Sequence, residues 1–321
     1  MNRAILICIS ALVFAASAEC QVPLPRGQVR DGRVVTSDGV RLYFQVRGTG
    51  QDTIVVLHGG PGLSSAYLAP DLDLLARDYT LIHYDQRGAG RSDVVSDSSR
   101  LRLSNHIADV EEVRQHFGMS RLVLLGHSWG AALAAQYARV HPDRVAKMIL
   151  VDPMPPRRTP YMQQFGRNLY AWMDSSTAAR VRTLAAARDT TSDAVSACRA
   201  FWRIFIRGYF ANPADTTGAS RMLGDVCDAP PEALRNGALV SAAVLRPLGD
   251  WDWRAEFRAV HVPVLIIHGE QDPIPATSAT EWAAAFPEAE LVIVERAGHF
   301  PYVEQPAAYK RAVETFLRKP Q

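Results

Sequence analysis

Five residues, Gly126-His127-Ser128-Trp129-Gly130, close the apolar run Leu122-Val123-Leu124-Leu125 and fit the pattern G-x-S-x-G. That pattern sets a serine on a sharp strand-to-helix turn, with its hydroxyl lifted above a sheet. Glycines two residues to either side let strand and helix approach closely. The following Ala131-Ala132-Leu133-Ala134-Ala135-Gln136-Tyr137-Ala138 is strongly helix-forming and small enough to pack tightly. The free N–H groups of that helix start favour negative charge developing near Ser128.

A serine hydroxyl is a weak nucleophile at neutral pH, so it needs a base, and the base needs an orienting acid. Two downstream loops supply candidates in the order serine, acid, histidine. Asp272 lies in His268-Gly269-Glu270-Gln271-Asp272-Pro273, and His299 in Glu295-Arg296-Ala297-Gly298-His299-Phe300-Pro301, each after a strand-like run. His299 is expected to take the Ser128 proton and return it to a leaving group, while Asp272 holds the imidazole. Asp152, closing another strand-like run, is the alternative acid, and Glu270 a lesser one. His127 and His268 are expected to be structural. An oxyanion hole is expected from the backbone N–H of Trp129 and that of Gly60, within the turn His58-Gly59-Gly60-Pro61-Gly62.

Such loops need a frame. Arg33–Thr36 and Val40–Val46 alternate about Ser37-Asp38-Gly39, a hairpin signal. Thr53–Leu57 is a continuous apolar strand of the kind buried on both faces of a sheet, and Tyr79–Tyr84, Leu122–Leu125, Val145–Val151, Val262–Ile267 and Leu291–Val294 read as further strands. A helix capped by Ser104 carries Ile107, Val110, Val113 and Phe117 on one side and stops at Gly118. Other helices follow at Ala276–Phe286 and around Tyr309, Val313 and Phe316. The predicted class is α/β, a mostly parallel sheet with its sites at the strand ends.

From Pro153 to Asp250 the strand–helix rhythm stops, and Ala/Arg-rich helical text replaces it. A structureless loop of that length is improbable, so an inserted helical lid is expected. The predicted organisation is a leader at residues 1–18, a core from 19–152 and 251–321, and a lid over 153–250. Within the lid, Trp202, Phe205, Ile206 and Tyr209 recur at helical spacing, which places Trp202 on a face turned to the core or the pocket.

Nearly half of the 321 residues are apolar, ample for a large core, and the formal net charge is +2. That balance gives no reason to expect a nucleic-acid partner. Arg87 and Arg91, in Asp85-Gln86-Arg87-Gly88-Ala89-Gly90-Arg91-Ser92, are expected to tie their loop to its neighbours rather than to bind phosphate. Met1-Asn2-Arg3, an apolar run over 4–15 and Ala16-Ser17-Ala18 have the form of a secretory signal peptide. The run falls short of the ~20 residues a membrane span needs. Export to the periplasm or medium, without stable membrane insertion, is the expectation. In an oxidising compartment Cys198 and Cys227 could pair. No CxxC or HExxH spacing occurs, and a serine triad needs no metal or cofactor.

With those residues in hand, the chain resembles the α/β-hydrolase superfamily and, within it, the proline iminopeptidase-like group. The resemblance rests on His58–Gly62, Asp85–Ser92, Gly126–Gly130 and Gly298-His299-Phe300, and spans most of 32–317 outside the lid. It implies an acyl-enzyme hydrolase that removes an N-terminal, proline-type residue from short peptides. It also implies lid carboxylates that hold the substrate's free amine, for which Asp225, Asp228 and Glu232 are candidates. Esterase or lactonase chemistry on a small hydrophobic acyl compound is the alternative, and a ligand-binding protein of the same fold a third.

Overall fold

The computed structural model describes residues 29–188, 192–214, 218 and 226–320. The leader expected at 1–18 and Asp225 lie outside these residues. Eight strands form one sheet: β1 (Arg30–Val35), β2 (Arg41–Arg47), β3 (Thr53–Leu57), β4 (Thr80–Tyr84), β5 (Leu122–His127), β6 (Val145–Val151), β7 (Val264–Gly269) and β8 (Ala289–Val294). Their spatial order is β1-β2-β4-β3-β5-β6-β7-β8. The β1–β2 and β2–β4 pairs are antiparallel, and every other pair is parallel.

The apolar runs are explained by what covers each face. In β3, Val55 and Leu57 belong to one core cluster, and Ile54 and Val56 to the other. The same alternation recurs in β6, with Met148 and Leu150 opposite Ile149 and Val151. On the first face lie α2 (Leu103–His116), α3 (Trp129–Val140) and α8 (Ala276–Ala285), through Val110, Val113, Leu133 and Trp282. On the second lie α1 (Ala69–Ala76) and α10 (Pro306–Leu317), through Leu72, Leu75, Tyr309, Val313 and Phe316. Strands buried on both faces cannot alternate apolar with polar residues, so they read as continuous apolar text. One helix cap differs from expectation. Helix α2 starts at Leu103 after Arg102, and Ser104 lies inside its first turn instead of capping it.

After β6 the chain leaves the sheet for α4 (Tyr161–Tyr170), α5 (Ser175–Arg188), α6 (Ala194–Phe205) and α7 (Pro231–Leu245). Its exit and return are stitched together. Arg158 N donates to Trp251 O at 2.8 Å, and Trp253 N to Pro156 O at 2.9 Å. Cys198 in α6 is bridged to Cys227, closing a span of 29 residues. Two short elements complete the chain: a 3₁₀ turn at Ile206–Tyr209 and α9 (Pro301–Glu304).

Candidate active site

Ser128 sits between β5 and α3 with φ 55° and ψ −117°. Side chains other than glycine rarely adopt this conformation, and it persists only where the surroundings enforce it. Here Ser128 N donates to Val151 O at 2.9 Å, while Ser128 O accepts from Ala131 N and Met154 N, both at 3.1 Å. A Cβ on Gly126 would collide with Gly130 O, and one on Gly130 with Leu57 O. The two glycines of the motif are therefore required by backbone packing.

Asp272 follows β7 and His299 follows β8. His299 Nδ1 donates to Asp272 Oδ2 at 2.8 Å, and Ile274 N donates to Asp272 Oδ1 at 2.7 Å. That bond fixes the tautomer and leaves Nε2 of His299 as the basic nitrogen. The histidine loop is anchored from the insertion, because His299 N donates to Tyr209 O at 2.7 Å. Glu304 braces the same region, accepting from Gly298 N at 2.7 Å and Ala211 N at 2.8 Å. Burial pushes the His299 imidazole down to about 3, so it is neutral and able to accept a proton. Burial pushes Asp272 up to about 7, opposed by the neighbouring Asp152 carboxyl and the hydrogen bond from Ile274 N.

Asp152, the alternative acid, closes β6 and is fully buried. Its Oδ1 accepts from Gly269 N at 2.8 Å, and the residue that bonds His299 is Asp272. Among the described residues, Asp152, Asp272 and His299 bring potential metal-ligand atoms within 4.8 Å of one another. Two of those groups, His299 and Asp272, are hydrogen-bonded directly to each other.

Ser128 and His299 open into one cavity of about 70 Å³, walled by Tyr67, Trp202, Ile206, Tyr209 and Phe300. A larger cavity of about 450 Å³ shares Gly60, Leu63, Trp202, Tyr209 and Val226 with it and continues beneath α7. No described residue lining either cavity is an acid, lysine or arginine. Gly60 has φ 54°, in the left-handed region, and lines both cavities. Trp129 is the first residue of α3, where backbone N–H groups have no partner within the helix. Its indole is turned away, donating to Gln86 Oε1 at 2.9 Å.

His127 and Tyr67 join three loops. Gly59 N donates to Tyr67 Oη at 2.7 Å, and Tyr67 Oη lies 2.7 Å from His127 Nδ1. His127 Nε2 in turn donates to His299 O at 2.9 Å. The glycine turn, the serine turn and the histidine loop are thus set against one another by one chain of hydrogen bonds. Nothing in the spacing of Tyr67 or Glu304 marks these roles. His268 Nε2 donates to Ile274 O at 2.9 Å and steadies the Asp272 loop.

Of the lid carboxylates expected at the substrate, Asp228 and Glu232 line neither cavity. Asp228 is exposed and paired with Arg91 at 2.7 Å. Glu232 is exposed in the first turn of α7, and Asp225 lies outside the described residues. Arg87 serves its own loop, held by Asp109 at 2.5 Å and Asp38 at 3.0 Å.

Residues 52–306 match the family described as alpha/beta hydrolase fold. A proline iminopeptidase of Heyndrickxia coagulans is 26% identical over 289 residues, covering 87% of this chain and 96% of the relative. Among solved structures, the proline iminopeptidase of Mycobacterium smegmatis superposes with a TM-score of 0.67 at 25% identity, over 90% of this chain and 97% of that one. An esterase from Exiguobacterium antarcticum gives a TM-score of 0.67 at 21% identity, over 89% of this chain and 99% of its own, a likeness of fold. The chain belongs to the alpha/beta hydrolase fold family and is a proline iminopeptidase-like hydrolase.

Proposed function

We propose that the protein is a serine hydrolase that releases the N-terminal, proline-type residue of short peptides through an acyl-enzyme. Ser128 is the nucleophile, His299 the general base and Asp272 its orienting acid. One observation carries this reading: a serine in a strained turn at a helix N-terminus shares a cavity with a histidine that is already bonded to a buried aspartate. His299 Nε2 takes the Ser128 proton as Oγ attacks the substrate carbonyl carbon. The oxyanion is received by the N–H groups of Trp129 and Gly60. The intermediate collapses when His299 returns the proton to the leaving amine, and water then repeats the sequence on the acyl-enzyme. The small aromatic-walled cavity suits one ring-sized residue, and the likeness to iminopeptidases supplies the substrate class.

A second reading, hydrolysis of a small neutral ester or lactone, is favoured by one observation. The described lining offers an incoming ammonium no carboxylate, and burying such a charge unpaired costs several kcal/mol. Turnover of proline β-naphthylamide and of p-nitrophenyl acetate by the mature chain separates the two. Turnover of both, lost by about 10⁴-fold in Ser128→Ala together with fluorophosphonate labelling, supports the peptidase. Ester turnover alone leaves the esterase. Undiminished labelling of Ser128→Ala overturns the nucleophile.

We also infer export. The charged and apolar start of the chain supports it, as does the Cys198–Cys227 bridge, since disulfides persist in oxidising compartments. Among the described residues no helix is long and apolar enough to cross a membrane. Intact mass from the native host is expected to correspond to a chain beginning near Glu19; a full-length species contradicts export. The reading requires no cofactor and no partner beyond the small substrate.

A further inference from the structure

Behind the Asp272–His299 pair lies a second buried acid that the reaction as written does not use. Asp152 ends β6 with φ 43°, in the left-handed region, and its N–H donates to Ile267 O at 2.8 Å. Its side chain is wholly buried. Oδ1 accepts from Gly269 N at 2.8 Å, but Oδ2 receives no N–H or O–H donor. A carboxyl oxygen of Asp152, one of Asp272 and a ring nitrogen of His299 lie within 4.8 Å of one another, so the two carboxyls are close neighbours. Two carboxyl oxygens can hydrogen-bond only if one of them carries a proton, and two adjacent buried carboxylates repel too strongly for both to ionise.

The donors around the pair decide which acid keeps the proton. Asp272 accepts at both oxygens, from Ile274 N and from His299 Nδ1, and hydrogen bonds of that kind stabilise the ionised form. Asp152 accepts at one oxygen and leaves the other bare. The remaining titratable neighbours face both acids. His268 Nδ1 lies 3.5 Å from Asp152 Oδ1 and 3.9 Å from Asp272 Oδ2, and its Nε2 is the donor to Ile274 O, so its Nδ1 lone pair is nearer to Asp152. Glu304 adds a like charge near both, and the hydroxyls of Tyr302 and Tyr309 lie in the same field without a hydrogen bond to either acid. Burial drives Asp152 well above the usual carboxyl range.

We propose that Asp152 is a positioning residue, a neutral carboxyl whose Oδ2–H donates to Asp272 and keeps that carboxylate ionised and aimed at His299. The inference rests on the serine-hydrolase reading above. It gives the Asp272 carboxylate a third donor, in a place where water cannot supply one, and it leaves a single negative charge facing the imidazole.

Two substitutions test it, with p-nitrophenyl acetate as substrate. Asp152→Asn keeps a donor, the amide N–H, and cannot ionise. It is expected to hold kcat within about threefold and to leave the acid limb of the kcat/KM profile in place. Asp152→Ala removes the donor. Its kcat is expected to fall by roughly ten- to a hundredfold with KM nearly unchanged, and its acid limb to move up by about one pH unit, the scale of one hydrogen bond to a charged group. A protonated-carboxyl band in the infrared at neutral pH is expected in the wild type and missing from Asp152→Asn. If Asp152→Asn instead lowers the acid limb, Asp152 is an anion and the proposal is wrong. An Asn variant as impaired as the Ala variant, or an Ala variant with wild-type kcat and profile, overturns it equally. Should Asp152→Ala fail to fold, the Asn profile and the infrared band decide alone. Fluorophosphonate labelling that depends on Ser128 is the separate control, because its absence strikes the serine-hydrolase reading and the Asp152 results strike only this inference.

Discussion

At the scale of single residues, the site is a set of hydrogen bonds whose directions matter more than their number. Asp272 accepts from His299 Nδ1, which leaves Nε2 facing the cavity as a base. In Asp272→Asn the amide can still accept from Ile274 N through its oxygen. Its NH₂ then faces the imidazole and forces the opposite tautomer. The expected outcome is a loss of about 10³–10⁴ in kcat with a melting temperature close to the wild type. A nearly silent Asp272→Asn, beside a severe Asp152→Asn, would exchange the roles of the two acids.

At the scale of elements, the serine turn depends on how closely three backbones pass. Gly130 in α3 faces Leu57 O and His58 O of β3 and the glycine turn, so a methyl group there has no room and meets backbone rather than a side chain that could rotate. Gly130→Ala is expected to destabilise the fold by about 1–3 kcal/mol through overpacking and to lower kcat as α3 shifts away from the turn. Gly118→Ala is the control. It has φ 63° but open space around it, so its effect is confined to the end of α2 and activity should be retained. Urea unfolding and ester turnover of the two variants measure the difference; equal losses of activity would remove the close-packing explanation of the motif.

At the scale of the molecule, the sheet buries many groups in their neutral forms. His58, His83, His106, His127, His268 and His299 are all held below the ordinary histidine value, with burial the main cause in each. The unfolded chain protonates them near pH 6.5, where the folded chain does not. It therefore binds more protons as pH falls through 6.5, and stability declines in that direction. Buried acids act oppositely. Asp109 is pushed up to about 6, and the Asp152–Asp272 pair keeps one proton on Asp152, so each of these two sites binds a proton in the folded chain that the unfolded chain releases. Six histidines outweigh these two sites, and the free energy of urea unfolding is expected to be lower at pH 5 than at pH 7. A flat or rising stability over that interval contradicts the assignment of neutral buried histidines.

Much of this was legible in the chain. Ser128 is marked by glycines at fixed offsets, because the turn that lifts a serine above a sheet excludes side chains at Gly126 and Gly130. The central parallel strands β3 and β5 are marked by apolar runs, since each is covered on both faces. Asp272 and His299 are marked by their place after the last two of those runs. These signals are local, or depend only on the order of elements, and a sequence records both. The burial of Asp152 against Asp272 is different in kind, because it depends on β6 and β7 lying side by side with their ends level. So does the Gly59–Tyr67–His127–His299 chain of hydrogen bonds, whose members are up to 240 positions apart. The pairing of Asp228 with Arg91 spans 137 positions and takes that carboxylate out of the cavity. Distance in space between residues far apart in the chain is set by packing, and packing is what only the folded molecule decides.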